Sequence, residues 1–486
     1  MTRSLPRVAV IGGGLTGLAT ARHLRHDAEV VVLEASDRLG GQIRTEAFAG
    51  TRLDVGADAF LARQPEAERL VRSLGLGDDL VAPLTGRVLL WVDGRLRPLP
   101  DGTVLGAPTD LRALARSRVV GPVGLLRAAA EPLVPRRFVP GDRSIADLVG
   151  SRFGPQVVTR LVDPLLSGVY AGDVDALSAE ATAPPLWAAA GGDRSLRPGL
   201  RAHRERVAAD DRPVFLTLRG GLDRVVTAMA REPDVRTATP VTAVTATDDG
   251  WRVAAGGTHL DVDQVVVCVP AAAAAGLVRR VSADLARELL GVRTASVAVV
   301  ALAYDRADAG QVPESSGVLV PRGEGRLVKA VTYASHKWPH HAEHPSFLLR
   351  ASVGRVDDPH GLDLDDEELA ERVDAEVRWM SAIRAPARER RVVRWPAALP
   401  QYDVGHVQRT DRIRALLEAL PAGLHLGGAS LDGVGLSARA RDAERLAEAV
   451  RSVQQRRAEP VRRVPARPAE SDPPVGTLAD QPENDA

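Results

Sequence analysis

The sequence predicts an α/β fold in which a parallel, Rossmann-like sheet is interleaved with a mixed α+β domain and a helical lid-type subdomain. Three observations carry that expectation. Residues 7–45, RVAVIGGGLTGLATARHLRHDAEVVVLEASDRLGGQIRT, read as strand, glycine turn, helix, strand and acid. Strand-like alternation returns after Phe215, and again at Leu424 ahead of a glycine pair. Between the first and second of these, residues 83–200 are cut by prolines into amphipathic pieces with few strand signals.

The opening stretch has the residue types that hold a dinucleotide. In Gly12-Gly13-Gly14-Leu15-Thr16-Gly17, the first glycine of the spacing permits a tight turn, Gly14 lets backbone approach a pyrophosphate, and Gly17 lets the helix pack close to its strand. The helix start offers unpaired N–H groups to phosphate. Glu34 follows Gly12 at close to the ~20 residues expected of the carboxylate that takes ribose hydroxyls, and an acid there argues against NADP. In a chain with 44 glycines the competing reading is a chance turn, but here strand, helix and acid all fall in their required places. The next residues, Glu34-Ala35-Ser-Asp-Arg38-Leu-Gly40-Gly41-Gln42, add glycines and arginines to that surface. They resemble the flavin signature of the amine oxidase and protoporphyrinogen oxidase superfamily. That resemblance implies FAD as cofactor.

Length and composition bound the rest. A chain of 486 residues exceeds one ordinary core and implies two or three domains. With 63 basic and 63 acidic residues there is no electrostatic case for nucleic acid. The single cysteine, Cys268, reads as a small core hydrophobe in a buried strand, which fits a reducing cytoplasm. The apolar N-terminus is the glycine-turn strand rather than a cleavable signal. The apolar run from Val265 to Val278 is shorter than the ~20 residues of a spanning helix.

In chain order, Gly56-Ala57-Asp58-Ala59-Phe60-Leu-Ala-Arg63 leads into a helix over 66–76. The amphipathic stretches around Leu111-x-x-Leu114 and Val119 to Leu133 suit a substrate lid, a membrane-resting surface or a plain interior layer of helices. Strands are expected at Val241 to Ala246, Trp251 to Ala255 and Val262 to Val269, then at Ser296 to Tyr304 and Phe347 to Val353, with a charged helix from Asp365 to Ile383. His336, His340, His341 and His344 lack the companions of a recognised zinc motif, so they read as solvent-facing loop residues, with no metal site. The turn from Gly427 through Val434, Gly435 and Leu436 precedes a helix to Val453 and gives a second dipole-bearing start. Past Gln454 the proline-rich, charge-segregated tail reads as disordered.

Several of these segments are similar to the oxygen-dependent porphyrinogen oxidases of haem synthesis: Phe60-Leu-Ala-Arg63-x-Pro65, Arg160 to Asp173 with its Gly168-Val-Tyr170-Ala-Gly172, His336-Lys337-Trp338-Pro339-His340, and Trp395 to His406. The likeness to the soluble bacterial branch implies oxidation of coproporphyrinogen III, with protoporphyrinogen IX as the alternative. It places Gly56 to Ala59, Trp395, Gly427 and Val434 to Leu436 at the flavin, Val241 near its adenine end, and Arg63, Gly168 and Tyr170 at the substrate. Dioxygen is then the second substrate. A peripheral membrane surface and downstream enzymes of the pathway are candidate partners. The flavin carries the chemistry, so no catalytic base is assigned. By the same resemblance the chain divides into FAD-binding parts at 1–82, 205–270 and 395–453, a helical subdomain at 83–204, a substrate domain at 271–394 and a tail at 454–486. A flavin amine oxidase, which needs an aromatic cage, and a non-catalytic flavin or porphyrin carrier are the competing readings.

Overall fold

The computed structural model describes residues 5–135, 141–192, 195–356 and 358–458. Its organising sheet has five parallel strands in the order Asp234–Arg236, Glu29–Leu33 (β2), Arg7–Ile11 (β1), Gln264–Val267 and Leu424–Leu426. Three separated parts of the chain therefore meet in one sheet, as the returning strand signals predict. Val8 to Val10 are fully buried because both faces are covered: Val8 and Val10 pack under the helix Leu15–Leu24 (α1) and the C-terminal helix Leu436–Ala458. Ala9 and Ile11 pack against the helices Ala271–Val278 and Ala283–Leu290. A parallel strand buried on both sides needs such a continuous apolar run.

The expected strand Val262 to Val269 is two elements. Thr258–Val262 closes an antiparallel sheet with Val241–Ala246 and Trp251–Ala255, and Gln264–Val267 then joins the parallel sheet. Asp263 is the joint, its carboxylate accepting the N–H of Arg7 at 2.7 Å. The break falls at the adjacent polar residues Asp263 and Gln264, the interruption in the apolar run.

A second sheet has seven strands, in the order Glu389–Pro400, Thr294–Asp305, Ser346–Val353, Val328–Thr332, Gly317–Leu319, Val88–Val92, Arg95–Pro98. Two expected boundaries change. Residues 83–204 are not all helical, since Val88–Val92 and Arg95–Pro98 are a hairpin on this sheet, turned at Asp93-Gly94 with φ of 53° and 69°. Asp-Gly with positive φ at both residues is the tight-hairpin signal, and it was present in the sequence. The division at 394/395 falls inside the twelve-residue strand Glu389–Pro400, which pairs along Thr294–Asp305. On that central strand Ala298, Val300, Leu302 and Tyr304 face the helix Asp366–Ser381. Val297, Val299, Ala301 and Ala303 face Phe48, Val55, Ala171 and Trp395.

The helices between Leu111 and Ala208 share a separate core that includes Leu114, Leu148, Leu161 and Leu186. The prolines that break the pattern start helices: Pro122, Pro155 and Pro184 each stand in a first turn, where a missing N–H costs nothing. Asp110 and Ser144 cap two more through their side chains. The C-terminal helix continues past Val453 to Ala458, so residues 454–458 are not part of a tail. The tail reading for 459–486 lies outside the described residues.

Candidate active site

At the carboxyl end of β1, Gly12 has φ 107° and α1 begins at Leu15 with no side-chain cap. Gly13 donates its N–H to Glu34 Oε2 at 2.7 Å, which fixes the acid beside the turn. A Cβ on Gly14 would meet nothing within 4 Å, whereas one on Gly17 would overlap the Gly12 carbonyl. The second glycine thus faces open space and the third is a packing contact, as their spacing predicts. Gly40 donates to the Gly13 carbonyl at 2.8 Å, bringing the Gly40-Gly41 pair against the turn.

Gly14, Leu15, Thr16, Gly40, Gly41, Gln42 and Ala57 line one cavity of about 820 Å³ including its open mouth. Val434 and Leu436 close it from the C-terminal turn. Other expected residues stand behind this wall. Arg38 donates to the carbonyls of Leu39 and Gly41 and lies 5.5 Å over the Trp395 ring, so it braces the loop that carries Ala35 to Gly41. Trp395 donates Nε1–H to the Val55 carbonyl and touches the position a Gly56 Cβ would occupy. Gly427 lets the C-terminal helix approach, since a Cβ there would crowd Leu446 and Asp442; Gly435 faces open space. Val241 follows Thr239, whose N–H bonds the Glu34 carbonyl at 2.9 Å, and Ala59 packs beside Val55.

Sequence reasoning missed part of the lining: Cys268, Val269, Pro270, Thr294, Ala398, Ser430 and Arg439. Cys268 is past the end of its strand and lines the cavity, which corrects its reading as a strand-core residue. The signal was available, because ligands of open parallel sheets sit beyond the carboxyl ends of the strands and Cys268 follows such an end.

Asp58 is held between Lys337 Nζ at 3.0 Å and Arg350 Nη2 at 2.7 Å. Burial pushes its carboxyl up, but the two cations overcome that and hold it at about 2. Tyr170 ends the helix Asp163–Tyr170, its ring 6.0 Å from that of Tyr402 and its carbonyl bonded by Gln401 Nε2. The Tyr402 hydroxyl donates to Ala429 and accepts from Gly433, tying this group to the cavity wall. Burial raises the Tyr170 hydroxyl to about 12, so it stays protonated near neutrality. Gly168 lies on the same helix beside Leu319. Arg63 is not joined to these residues: Nη2 makes a long 3.4 Å bond to the Asp210 carbonyl, while Nε is buried without a partner.

Three of the four histidines are not loop residues; His344 is, half-buried between a short helix and a strand. His336, His340 and His341 stand on the short helices Ala334–Lys337 and Pro339–Ala342, and His341 is buried. Burial lowers His340 to about 4 and, with the neighbouring His340 and His344, lowers His341 to about 3. Among the described residues no group of three or more His, Cys, Asp or Glu side chains could hold a metal ion, and no helix is long and apolar enough to cross a membrane.

A glycine turn, an acid on its N–H and an uncapped helix start that open on one cavity are the arrangement of a dinucleotide-binding site. The profile of the flavin containing amine oxidoreductase family matches residues 15–445, and the chain belongs to that family. Its cofactor is accordingly FAD, and the open approach at Gly14 together with the uncapped helix start fits a diphosphate. The chain is 33% identical over 452 residues to the coproporphyrinogen III oxidase of Bacillus subtilis (strain 168), covering 90% of this chain and 96% of that protein. It is 37% identical over 437 residues to the coproporphyrinogen III oxidase of Mycobacterium tuberculosis (strain ATCC 25618 / H37Rv), with 88% and 94% covered. A crystal structure from Exiguobacterium sp. 255-15, described as a protoporphyrinogen oxidase, superposes with a TM-score of 0.83 at 29% identity over 93% of this chain and all of that one. Putrescine oxidase shares only the fold, at 17% identity and a TM-score of 0.66 over 92% of this chain and 99% of that one.

Proposed function

We propose that this chain oxidises coproporphyrinogen III to coproporphyrin III, removing six electrons in three two-electron cycles with dioxygen as acceptor. The observation that carries the reading is identity above 30%, over nearly the whole of both chains, to proteins named for that reaction. FAD, when bound, supplies the hydride acceptor, and dioxygen returns it to the oxidised form with release of hydrogen peroxide. The chain's own task is to hold a flat macrocycle with one methylene carbon against the flavin and to keep water out.

Several features support an assignment of parts. The glycine turn, Glu34, the Gly40-Gly41 loop and the Ala429 to Leu436 segment hold FAD. The Tyr170, Gln401 and Tyr402 group borders the substrate, with Gly168 giving a flat face and Arg63 meeting a propionate at the rim. FAD-binding parts lie in 1–82, in 205–270 and after Pro400. The seven-stranded sheet, including Val88–Pro98, forms the substrate domain, and the helices from Leu111 to Ala208 form its lid. Val123, Leu126 and Leu133 are each more than 70% exposed, which supports a peripheral contact with a lipid surface for an otherwise cytoplasmic protein. Tyr170 and Tyr402 are tilted 52° to each other and Tyr402 stacks on His406, an arrangement that does not favour an aromatic amine cage.

Anaerobic addition of coproporphyrinogen III to the yellow protein tests the reading. Bleaching of the flavin, followed on admitting air by recovery and coproporphyrin fluorescence, is the expected result. Faster turnover of protoporphyrinogen IX in a side-by-side assay would transfer the assignment to that substrate. Bleaching by primary amines alone would overturn it.

A further inference from the structure

Arg439 stands about one turn into the C-terminal helix, its N–H bonded to the Gly435 carbonyl at 3.0 Å. It is 6% exposed, and its Nε and Nη2 have no hydrogen-bond partner. Its one acid, Asp442, is already committed. Oδ1 accepts both Nε and Nη2 of Arg445, and Oδ2 accepts the Gly428 N–H at 2.7 Å, leaving Arg439 Nη1 a single 3.4 Å contact. An arginine cannot escape burial by losing its proton, and its one counter-charge, Asp442, is shared with Arg445 and the Gly428 N–H. The same cavity is lined by Gly14, Leu15 and Thr16, the turn and helix start suited to phosphate. The two helices pack together through Leu18, Ala21, Ala440 and Ala443, and Arg439 and the start of α1 line the same cavity.

We infer that Arg439 is a direct ligand of the FAD diphosphate, supplied by the last helix of the chain to complete the charge balance of the glycine turn at its other end. This rests on the cavity being the FAD site. A guanidinium grips a phosphate through two parallel N–H bonds, which suits the two free donors. Closure of the C-terminal turn over the cofactor is thereby coupled to cofactor binding.

The test uses Arg439→Met and Arg439→Lys in the full chain. Flavin-stripped protein is titrated with FAD by fluorescence quenching, its melting temperature is measured, and phosphorus-31 spectra are recorded on the FAD-loaded forms. The expected results are FAD affinity at least tenfold weaker in Arg439→Met and partly restored in Arg439→Lys. The flavin-free Arg439→Met protein melts no lower than flavin-free wild type, because the cation removed is buried, has two donors unbonded and shares its one acid with Arg445. In loaded Arg439→Lys at least one diphosphate resonance moves while the flavin absorption maximum does not. Unchanged FAD affinity overturns the inference. So does weaker affinity with an equally lowered flavin-free melting temperature, which would mark a packing role. If Arg439→Met does not fold, the phosphorus spectrum of Arg439→Lys decides alone. Failure of the wild-type protein to bind FAD at all would instead overturn the reading of the cavity.

Discussion

Lys337, at the end of the short helix Ala334–Lys337, donates to Asp58 across 279 residues of chain, 3.0 Å from Nζ to Oδ2, and so pins that helix to the segment that borders the cavity. Arg350 holds the other oxygen of Asp58 and also donates to the carbonyls of Asp54 and Gly56. Asp58→Ala leaves two cations with little solvent access and no counter-charge, so it is expected to cost about 3–5 kcal/mol in urea unfolding. Lys337→Met costs less, because Arg350 still neutralises Asp58. Since the folded carboxyl lies at about 2, below its unfolded value, this stabilisation is present above about pH 4 and is lost as pH falls through about 2.

The glycines of the turn separate folding from cofactor binding. Gly14→Val places its side chain in open space and should give a folded, colourless protein with a normal circular dichroism spectrum. Gly17→Val drives a side chain into the Gly12 carbonyl and should reduce soluble yield. A stoichiometric FAD content in Gly14→Val would show that the diphosphate does not pass that point.

Arg63→Ala should raise KM for coproporphyrinogen about tenfold or more, from loss of roughly 1.5–3 kcal/mol of charged hydrogen bonding, and leave FAD content unchanged. The weak 3.4 Å bond of Arg63 Nη2 to the Asp210 carbonyl leaves that end of the guanidinium available for such a contact. Arg63→Lys recovers only part, having lost the planar fork. Lower FAD occupancy with an unchanged KM would assign the arginine to the cofactor instead.

Lys329 is 3% exposed, and burial, with the nearby Arg355 guanidinium, lowers its ammonium to about 7. Between that value and the unfolded ~10.4 the unfolded chain holds the extra proton, so wild-type stability should rise with pH across this window. Lys329→Met should flatten the rise and be the more stable protein at about pH 6.5, by urea midpoints compared with about pH 9.5. An unchanged slope would show that the lysine stays charged.

The end of the last helix is a matter of a few residues. Arg457 reaches the carbonyls of Asp263 and Ala422, so ending the chain after Ala458 should be neutral. Ending it after Val453 should cost at most about 1 kcal/mol and leave flavin content unchanged.

Much of the candidate site's geometry was legible because it is local. Gly12 to Gly17, Glu34 and the Gly40-Gly41 pair act through backbone geometry and short spacing, which a sequence displays directly. The two central strands and the helix Asp366–Ser381 were legible for a related reason, since each has one strong period and recognisable ends. The Asp93-Gly94 hairpin was equally local and was overlooked among prolines.

What the sequence by itself determined is the set of elements whose cause lies within a few residues: the turn, its acid, the alternating strands and the capped helices. Only the tertiary structure decided which distant groups meet. It put Cys268 at a cavity rather than in a strand core, and ran Glu389–Pro400 unbroken through a presumed domain boundary. It tied Tyr402 to Ala429, and left Arg439 buried with two free donors on a cavity also lined by a helix start hundreds of residues earlier. Those outcomes depend on sheet order and helix packing, where burial and counter-charge come from partners remote in the chain, and no short-range pattern records them.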